Sequence, residues 1–342
     1  MVSISRRQFL GGLGAGLATS VALGTLDLDP TALGITRVKA APDPTTPQTW
    51  LVRAGIESND HAVMGMVFLP YHLWVNVGDT VTWTILSMEF HTVTFLPPHT
   101  PRPPFNPMDP QQAQPQGPSH YDGKSYVNSG LLFQGQSFHL TFDVPGDFFY
   151  ICLIHSMMSG VVHVRPAGTP YPLAQADYDH LAEIASSDIV RAGQAMAREA
   201  EDFARRFNTQ TRFGMSNEAL VIAGIGDGGL DLMRFYPETL VVRVGQVVTF
   251  VNADPEAPHT VTFGGDLSEE QSFPPIGVPQ GYFPGQVVDY AGNGLLNSGY
   301  IGVDPNWFGT TFRTRFTQPG TYPYLCALHD MMGMKGTVIV RS

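Results

Sequence analysis

The two cysteines of the 342-residue chain keep the same company. One sits in Cys152-Leu-Ile-His155-Ser-Met-Met158, the other in Cys326-Ala-Leu-His329-Asp-Met-Met-Gly-Met334. A thiolate, an imidazole three residues on, a thioether shortly after and a second imidazole from upstream form one specific ligand set. Its soft sulfur stabilises Cu(I), its two imidazoles keep both oxidation states bound, and a weak axial thioether completes a trigonal blue-copper site. Zinc would take the same Cys and His residues but has no need of Met. A disulfide joining Cys152 to Cys326 would tie equivalent points of two repeated segments together, which disulfide geometry seldom permits.

The repetition extends well beyond the cysteines. Val77-Gly78-Asp79-Thr80-Val81-Thr82-Trp83 matches Val244-Gly245-Gln246-Val247-Val248-Thr249-Phe250. His91-Thr92-Val93-Thr94-Phe95 recurs unchanged as His259-Thr260-Val261-Thr262-Phe263, and Asn128-Ser129-Gly130 as Asn297-Ser298-Gly299. Pro145-Gly146 and Pro319-Gly320 stand at the same distance before the two cysteines. Order and spacing are kept, so the chain holds a duplicated domain whose upstream histidines are His91 and His259.

Each copy reads as short strands between turns. Val75–Val77 and Val81–Trp83 flank a Gly-Asp turn, and His91–Phe95 and Ser137–Val144 alternate in polarity. With 36 Gly, 28 Pro and only 14% charged residues, this is an all-β chain of two tandem Greek-key sandwiches. Domain 1 is expected over residues 48–167 and domain 2 over 218–342. A Pro- and Gln-rich loop is expected near 98–123, with 268–296 as its counterpart. Between the copies, at 168–217, apolar residues at Ile189, Ala192, Met196, Ala200, Phe203 and Phe207 step by three or four. That predicts a linker of one or two helices, Ser187 being a candidate cap for a second one.

Residues 1–40 have the pattern of a twin-arginine export signal: Ser5-Arg6-Arg7-Gln8-Phe9-Leu10, a Gly/Ala-rich apolar run, and Val38-Lys39-Ala40 as a cleavage site. The implied location is extracytoplasmic, in the periplasm or at the cell exterior, with no stable membrane span after signal removal. The chain has 19 Lys and Arg against 30 Asp and Glu, a net charge of −11. Such a surface repels nucleic acid and anionic membranes and attracts redox protein partners with a basic docking surface. No residue pattern fixes an oligomeric state.

Over nearly all of 48–167 and 218–342 both copies resemble the plastocyanin/azurin (cupredoxin) family. There the upstream His leaves a strand, while Cys, the second His and Met line one loop before the last strand. The resemblance implies copper ligands His91, Cys152, His155 and Met158 in domain 1, and His259, Cys326, His329 and Met334 in domain 2: two type 1 coppers per chain. Family loops end in Met, one residue, Gly and a strand. Met158-Ser159-Gly160 fits in a shorter loop and Met334-Lys335-Gly336 in a longer one, so Met334 is preferred to Met332. Thr92 and Thr260 depart from the Asn common after the first His; their hydroxyls are expected to tie the two ligand loops.

The resemblance implies electron transfer. Two-domain copper nitrite reductases and multicopper oxidases also pair such domains, but they place a His directly beside the Cys ligand. Here Ile151 and Leu153 flank Cys152, and Leu325 and Ala327 flank Cys326. A copper-dependent oxidoreductase is therefore the second reading, with His99 and His120 the candidates for an accessory site. Copper storage or delivery is the third.

Overall fold

The computed structural model describes residues 40–212, 215–265, 285–302 and 309–342. Residues 1–39 of the expected export signal and most of the expected 268–296 loop lie outside them. The chain divides into two compact units, one holding Met64–Val190 with the first strand, the other Arg191–Ser342 with Ser58–Val63.

In the first copy the strands are β1 Thr49–Glu57, β2 Val63–Leu69, β3 His72–Asn76, β4 Thr80–Ile85, β5 Thr94–Phe95, β6 His120–Tyr121, β7 Val127–Asn128, β8 Ser137–Phe142, β9 Gly146–Ile151 and β10 Ser159–Arg165. They form two facing layers, ordered β2-β1-β4-β8-β6 and β3-β10-β9-β5-β7. The second copy runs β11 Glu218–Gly226, β12 Leu230–Tyr236, β13 Thr239–Arg243, β14 Val247–Ala253, β15 Thr262–Phe263, β16 Val287–Tyr290, β17 Leu296–Asn297, β18 Thr311–Phe316, β19 Gly320–Leu325 and β20 Lys335–Arg341. Its layers, β16-β18-β14-β11-β12 and β13-β20-β19-β15-β17, repeat the topology strand for strand.

Alternating side chains fill each interior. In the first sandwich Trp83 packs on Tyr150 at 5.2 Å and on Phe95 at 5.8 Å, with Phe68 on Tyr150 at 4.8 Å. The second repeats this with Phe250 on Tyr324 at 5.2 Å, Phe250 on Phe263 at 6.0 Å and Phe235 on Tyr324 at 4.7 Å. Burying each ring is worth about 1.5–3 kcal/mol, so these eight rings anchor β9 and β19, the strands that lead into the two cysteines, to the opposite layer.

The repeated turn also has a structural reason. Asp79 is buried and accepts from the backbone N–H of Asn76 at 2.8 Å and from the Trp50 indole at 2.9 Å. Gln246 takes the first role in the second copy, its Oε1 accepting from the Arg243 N–H at 2.8 Å.

Three expectations are corrected. The His91–Phe95 stretch is strand only at Thr94–Phe95; His91 makes an isolated bridge to Leu132, as His259 does to Ile301. The proline-rich loop of the first copy carries one helical turn, α1 (Pro110–Ala113), and the short strand β6. The linker is a single 38-residue helix, α2 (Gln175–Arg212), with Ser187 inside it rather than at a second start. Its N-terminus is closed by Asp177, whose carboxylate accepts from the Ala174 N–H at 2.8 Å. Ala182 and Ile189 then pack on Ile56 and Leu69, and one internal Ser is a small loss against that burial.

Candidate metal centres

Two strands and one turn deliver each donor set. Cys152 follows the last residue of β9, His155 lies in the tight turn after it, and Met158 immediately precedes β10. Cys326, His329 and Met334 stand in the same relation to β19 and β20. The upstream His enters from the loop after β4 or β14, fixed by its bridge to Leu132 or Ile301.

In the first centre the Cys152 Sγ is 3.6 Å from His155 Nδ1 and 4.0 Å from His91 Nδ1, and the two Nδ1 atoms are 3.1 Å apart. In the second, Cys326 Sγ is 3.4 Å from His329 Nδ1 and 3.8 Å from His259 Nδ1, with the nitrogens again 3.1 Å apart. A trigonal ion about 2.0–2.1 Å from each nitrogen and about 2.3 Å from sulfur needs edges of about 3.5 Å and 3.8 Å. All four Nδ1 atoms face the thiols at nearly that spacing, so both sets fit one such ion. Among the described residues, these are the two places where three His, Cys, Asp or Glu donors converge. Both cysteines are free and buried.

Burial alone would push the Cys152 thiol up, but the charge of His155 and hydrogen bonds with His155 and His91 hold it well below the usual range. The same balance, with His329 and His259, acts on Cys326. Each sulfur is ready to serve as thiolate, and each accepts a backbone N–H besides, from Thr92 at 3.4 Å and from Thr260 at 3.3 Å. The threonine hydroxyls also tie the loops as expected: Thr92 Oγ1 accepts from the Leu153 N–H and Thr260 Oγ1 from the Ala327 N–H, both at 2.7 Å.

The methionines differ sharply. Met158 and Met334 are fully buried, and the N–H of the local cysteine donates to the carbonyl of each at 3.0 Å. Met334 thus occupies in the second copy the place of Met158 in the first, and Met332 does not. Met157 and Met331 are 67% and 78% exposed.

Sequence reasoning missed the groups standing behind the ligands. Gly55 of β1 and Gly224 of β11 sit at β-bulges with φ of +70° and +77°, and the His91 or His259 imidazole presses on each. A Cβ at Gly55 would lie 2.5 Å from His91 Nε2, and one at Gly224 would lie 2.0 Å from His259 Nε2. Arg102, from the proline-rich loop, donates to the carbonyls of Cys152 and Ser156, both at 2.6 Å. Arg234 donates to the Met332 carbonyl at 2.7 Å. The repeated Asn-Ser-Gly motif works here too, since Ser129 and Ser298 hydroxyls accept from the Val93 and Val261 N–H groups at 2.8 Å.

Four of the remaining histidines are engaged elsewhere. His120 pairs with Asp143 at 3.0 Å, His139 meets Thr82 at 2.8 Å, and His163 lies between Asp147 at 2.7 Å and His72 at 2.9 Å. His99 is exposed, with φ of +62°.

Comparison with known proteins places this geometry. The model of the copper-binding plastocyanin/azurin family matches residues 55–165 and 298–341. Chloroplastic plastocyanin of Physcomitrium patens is 29% identical over 167 residues, covering 46% of this chain and 84% of that protein. Plastocyanin A'/A'' of Nicotiana tabacum is 31% identical over 120 residues, covering 35% of this chain and 97% of its own. Among solved structures, a reduced Cu(I) form of an amicyanin mutant overlaps 34% of this chain and 82% of its own at 23% identity, with a TM-score of 0.24. The chain belongs to the plastocyanin/azurin family of copper-binding proteins. It carries two sandwiches of that kind, with a candidate copper site in each.

Proposed function

We propose that the protein is an exported electron carrier with a type 1 copper in each domain, liganded by His91, Cys152, His155 and Met158 and by His259, Cys326, His329 and Met334. Copper supplies a one-electron Cu(II)/Cu(I) couple; the chain's own residues hold its donors and shape its exit. The carrying observation is that two buried, closed Cys-His-His sets repeat to within a few tenths of an ångström. Donors held by strands, an amide N–H on each sulfur and a threonine tie have little room to rearrange, which favours rapid transfer over ligand exchange.

The exit is the second His of each set. His91 and His259 are wholly enclosed, whereas His155 and His329 are 3% and 5% exposed and stand beside the exposed Met157 and Met331. An apolar rim around a histidine edge suits brief docking of another redox protein, and net charge −11 favours a basic one. The name plastocyanin, shared by the relatives above, supports the same reading. The twin-arginine pattern of residues 1–40 supports export, and no described helix is long and apolar enough to cross a membrane.

Visible absorption and electron paramagnetic resonance on copper-loaded protein, with metal counted per chain, test the centres. Two type 1 signals per chain are expected, each reduced reversibly by one electron. Stopped-flow reduction by a basic redox protein should slow as salt is raised. Additional type 2 copper with turnover of nitrite or a phenol would replace the carrier reading by an oxidoreductase.

A further inference from the structure

The inner faces of the two centres are alike; the outer edges of their enclosed histidines are not. In the first centre His91 Nε2 meets the Ser87 hydroxyl at 3.0 Å, and that hydroxyl donates onward to the Glu89 carbonyl at 3.3 Å. The contact is between neutral groups. In the second centre His259 Nε2 faces Asp254 Oδ2 at 3.7 Å, both side chains being completely enclosed. Neither of those two atoms has a hydrogen-bond partner among the described residues.

Asp254 is held in place from the other side. Its Oδ1 accepts from the N–H groups of Glu256 and Ala257 at 2.8 and 2.9 Å, and its own N–H donates to Asn252 Oδ1 at 2.7 Å. Asn252 in turn donates to the Ala257 and Ile301 carbonyls at 2.9 and 2.8 Å. A buried carboxylate oxygen with no donor is costly unless a polar hydrogen is supplied to it. A metal on Nδ1 supplies one, because the imidazole hydrogen must then sit on Nε2, directed at Oδ2. We propose that Asp254 is a positioning residue for the second copper centre: its Oδ2 fixes His259 with Nδ1 free for the metal, strengthens that nitrogen as a donor, and so gives this centre the lower reduction potential of the two.

The sign follows from the chemistry. A carboxylate on the far side of a ligating imidazole increases its basicity, and the more basic donor favours Cu(II) over Cu(I). A serine hydroxyl does this much less. Other nearby charges mostly point the same way. Arg102 places a cation on the carbonyl of Cys152 itself, which favours Cu(I) in the first centre, whereas Arg234 reaches the second centre's loop only at Met332. Glu89, buried two residues before His91, opposes this order, but the partner of His91 Nε2 is the Ser87 hydroxyl and not that carboxylate.

The inference rests on the copper reading above, and single-site proteins test it. Cys152→Ser leaves the second centre and Cys326→Ser the first; redox titration of the blue band is expected to put the second centre lower by at least tenfold in its Cu(I)/Cu(II) ratio, about 59 mV for one electron. In the Cys152→Ser protein, Asp254→Asn and Asp254→Ser should each raise the potential by a similar factor. Pulsed electron paramagnetic resonance should show the remote nitrogen of His259 changing with them, a signature that a purely structural role would not move. Ser87→Ala in the Cys326→Ser protein should change its potential by less than threefold. A second centre at or above the first overturns the proposal, as does a potential and remote-nitrogen signal unmoved by both Asp254 substitutions. Should either substitution prevent folding, the comparison of the two single-site proteins and their remote-nitrogen signals decides. If the potentials order as expected while no redox protein exchanges electrons with the chain, the carrier reading falls and the role of Asp254 stands.

Discussion

At the scale of single residues, each cysteine belongs to one centre only, because its imidazole neighbours at 3.4–4.0 Å come from its own copy. Cys152→Ser and Cys326→Ser are each expected to remove about half of the thiolate-to-Cu(II) absorption, and the double variant to be colourless. Complete bleaching by either single change would mean a shared site. The axial position makes a finer test. Met334 is fully buried and shares with Met158 the hydrogen bond from its cysteine, while Met332 sits two residues short of that register. Met334→Leu should keep the blue band and raise the potential of one centre by tenfold or more in Cu(I)/Cu(II), since a donor favouring Cu(II) is lost. Met332→Leu should move it by less than threefold, and the opposite order in a redox titration would show the shorter loop to be in use.

At the scale of elements, the bulges of β1 and β11 bring the backbone against the back of a ligand imidazole. Only a residue without Cβ, at positive φ, fits there. Gly224→Ala should therefore displace His259, abolish the second centre's blue band and lower stability by about 1–3 kcal/mol in urea unfolding. The first centre's band should persist, and Gly55→Ala should do the converse. These glycines, like Ser87, Asp254 and Arg102, left no mark that reading along the chain could detect. The proposed ligands could be read because the family confines three of them to one loop and because duplication printed that loop twice. The supporting groups come from distant strands and meet only in the folded sandwich. Asp254 reads as an ordinary turn residue before Pro255, which it also is. The linker was legible as helical from its three- and four-residue steps, which left one helix or two open. Ser187-Asp188 looks like a start, and packing of Ala182 and Ile189 on β1 and β2 overrides it.

At the scale of the whole molecule, duplication gave two sandwiches with matching aromatic cores and separate metal centres. Because a ligand that binds only the folded state stabilises it in proportion to the logarithm of its excess, copper at a thousandfold its dissociation constant should add about 4 kcal/mol to a domain that takes it. Calorimetry is expected to show both domains melting higher with copper in the intact chain, and in the Cys152→Ser protein only the second domain doing so. Loss of the copper effect on both domains in that variant would show that the domains do not bind metal separately.

Exposure of Met157 and Met331 would carry a chemical cost in the proposed electron carrier. A thioether 67% or 78% open to solvent is an easy target for peroxide, whereas the enclosed Met158 and Met334 are shielded. Sulfoxidation turns a flexible apolar side chain into a polar one, so damage would reach the proposed docking rim well before it reached Met158 or Met334. Peptide mass spectrometry after mild peroxide treatment should find oxygen on Met157 and Met331 first. At that stage the blue band should be intact and exchange with a redox partner already slowed, and enzymatic sulfoxide reduction should restore it. The rim would then act as a repairable, sacrificial surface for the centres beneath it.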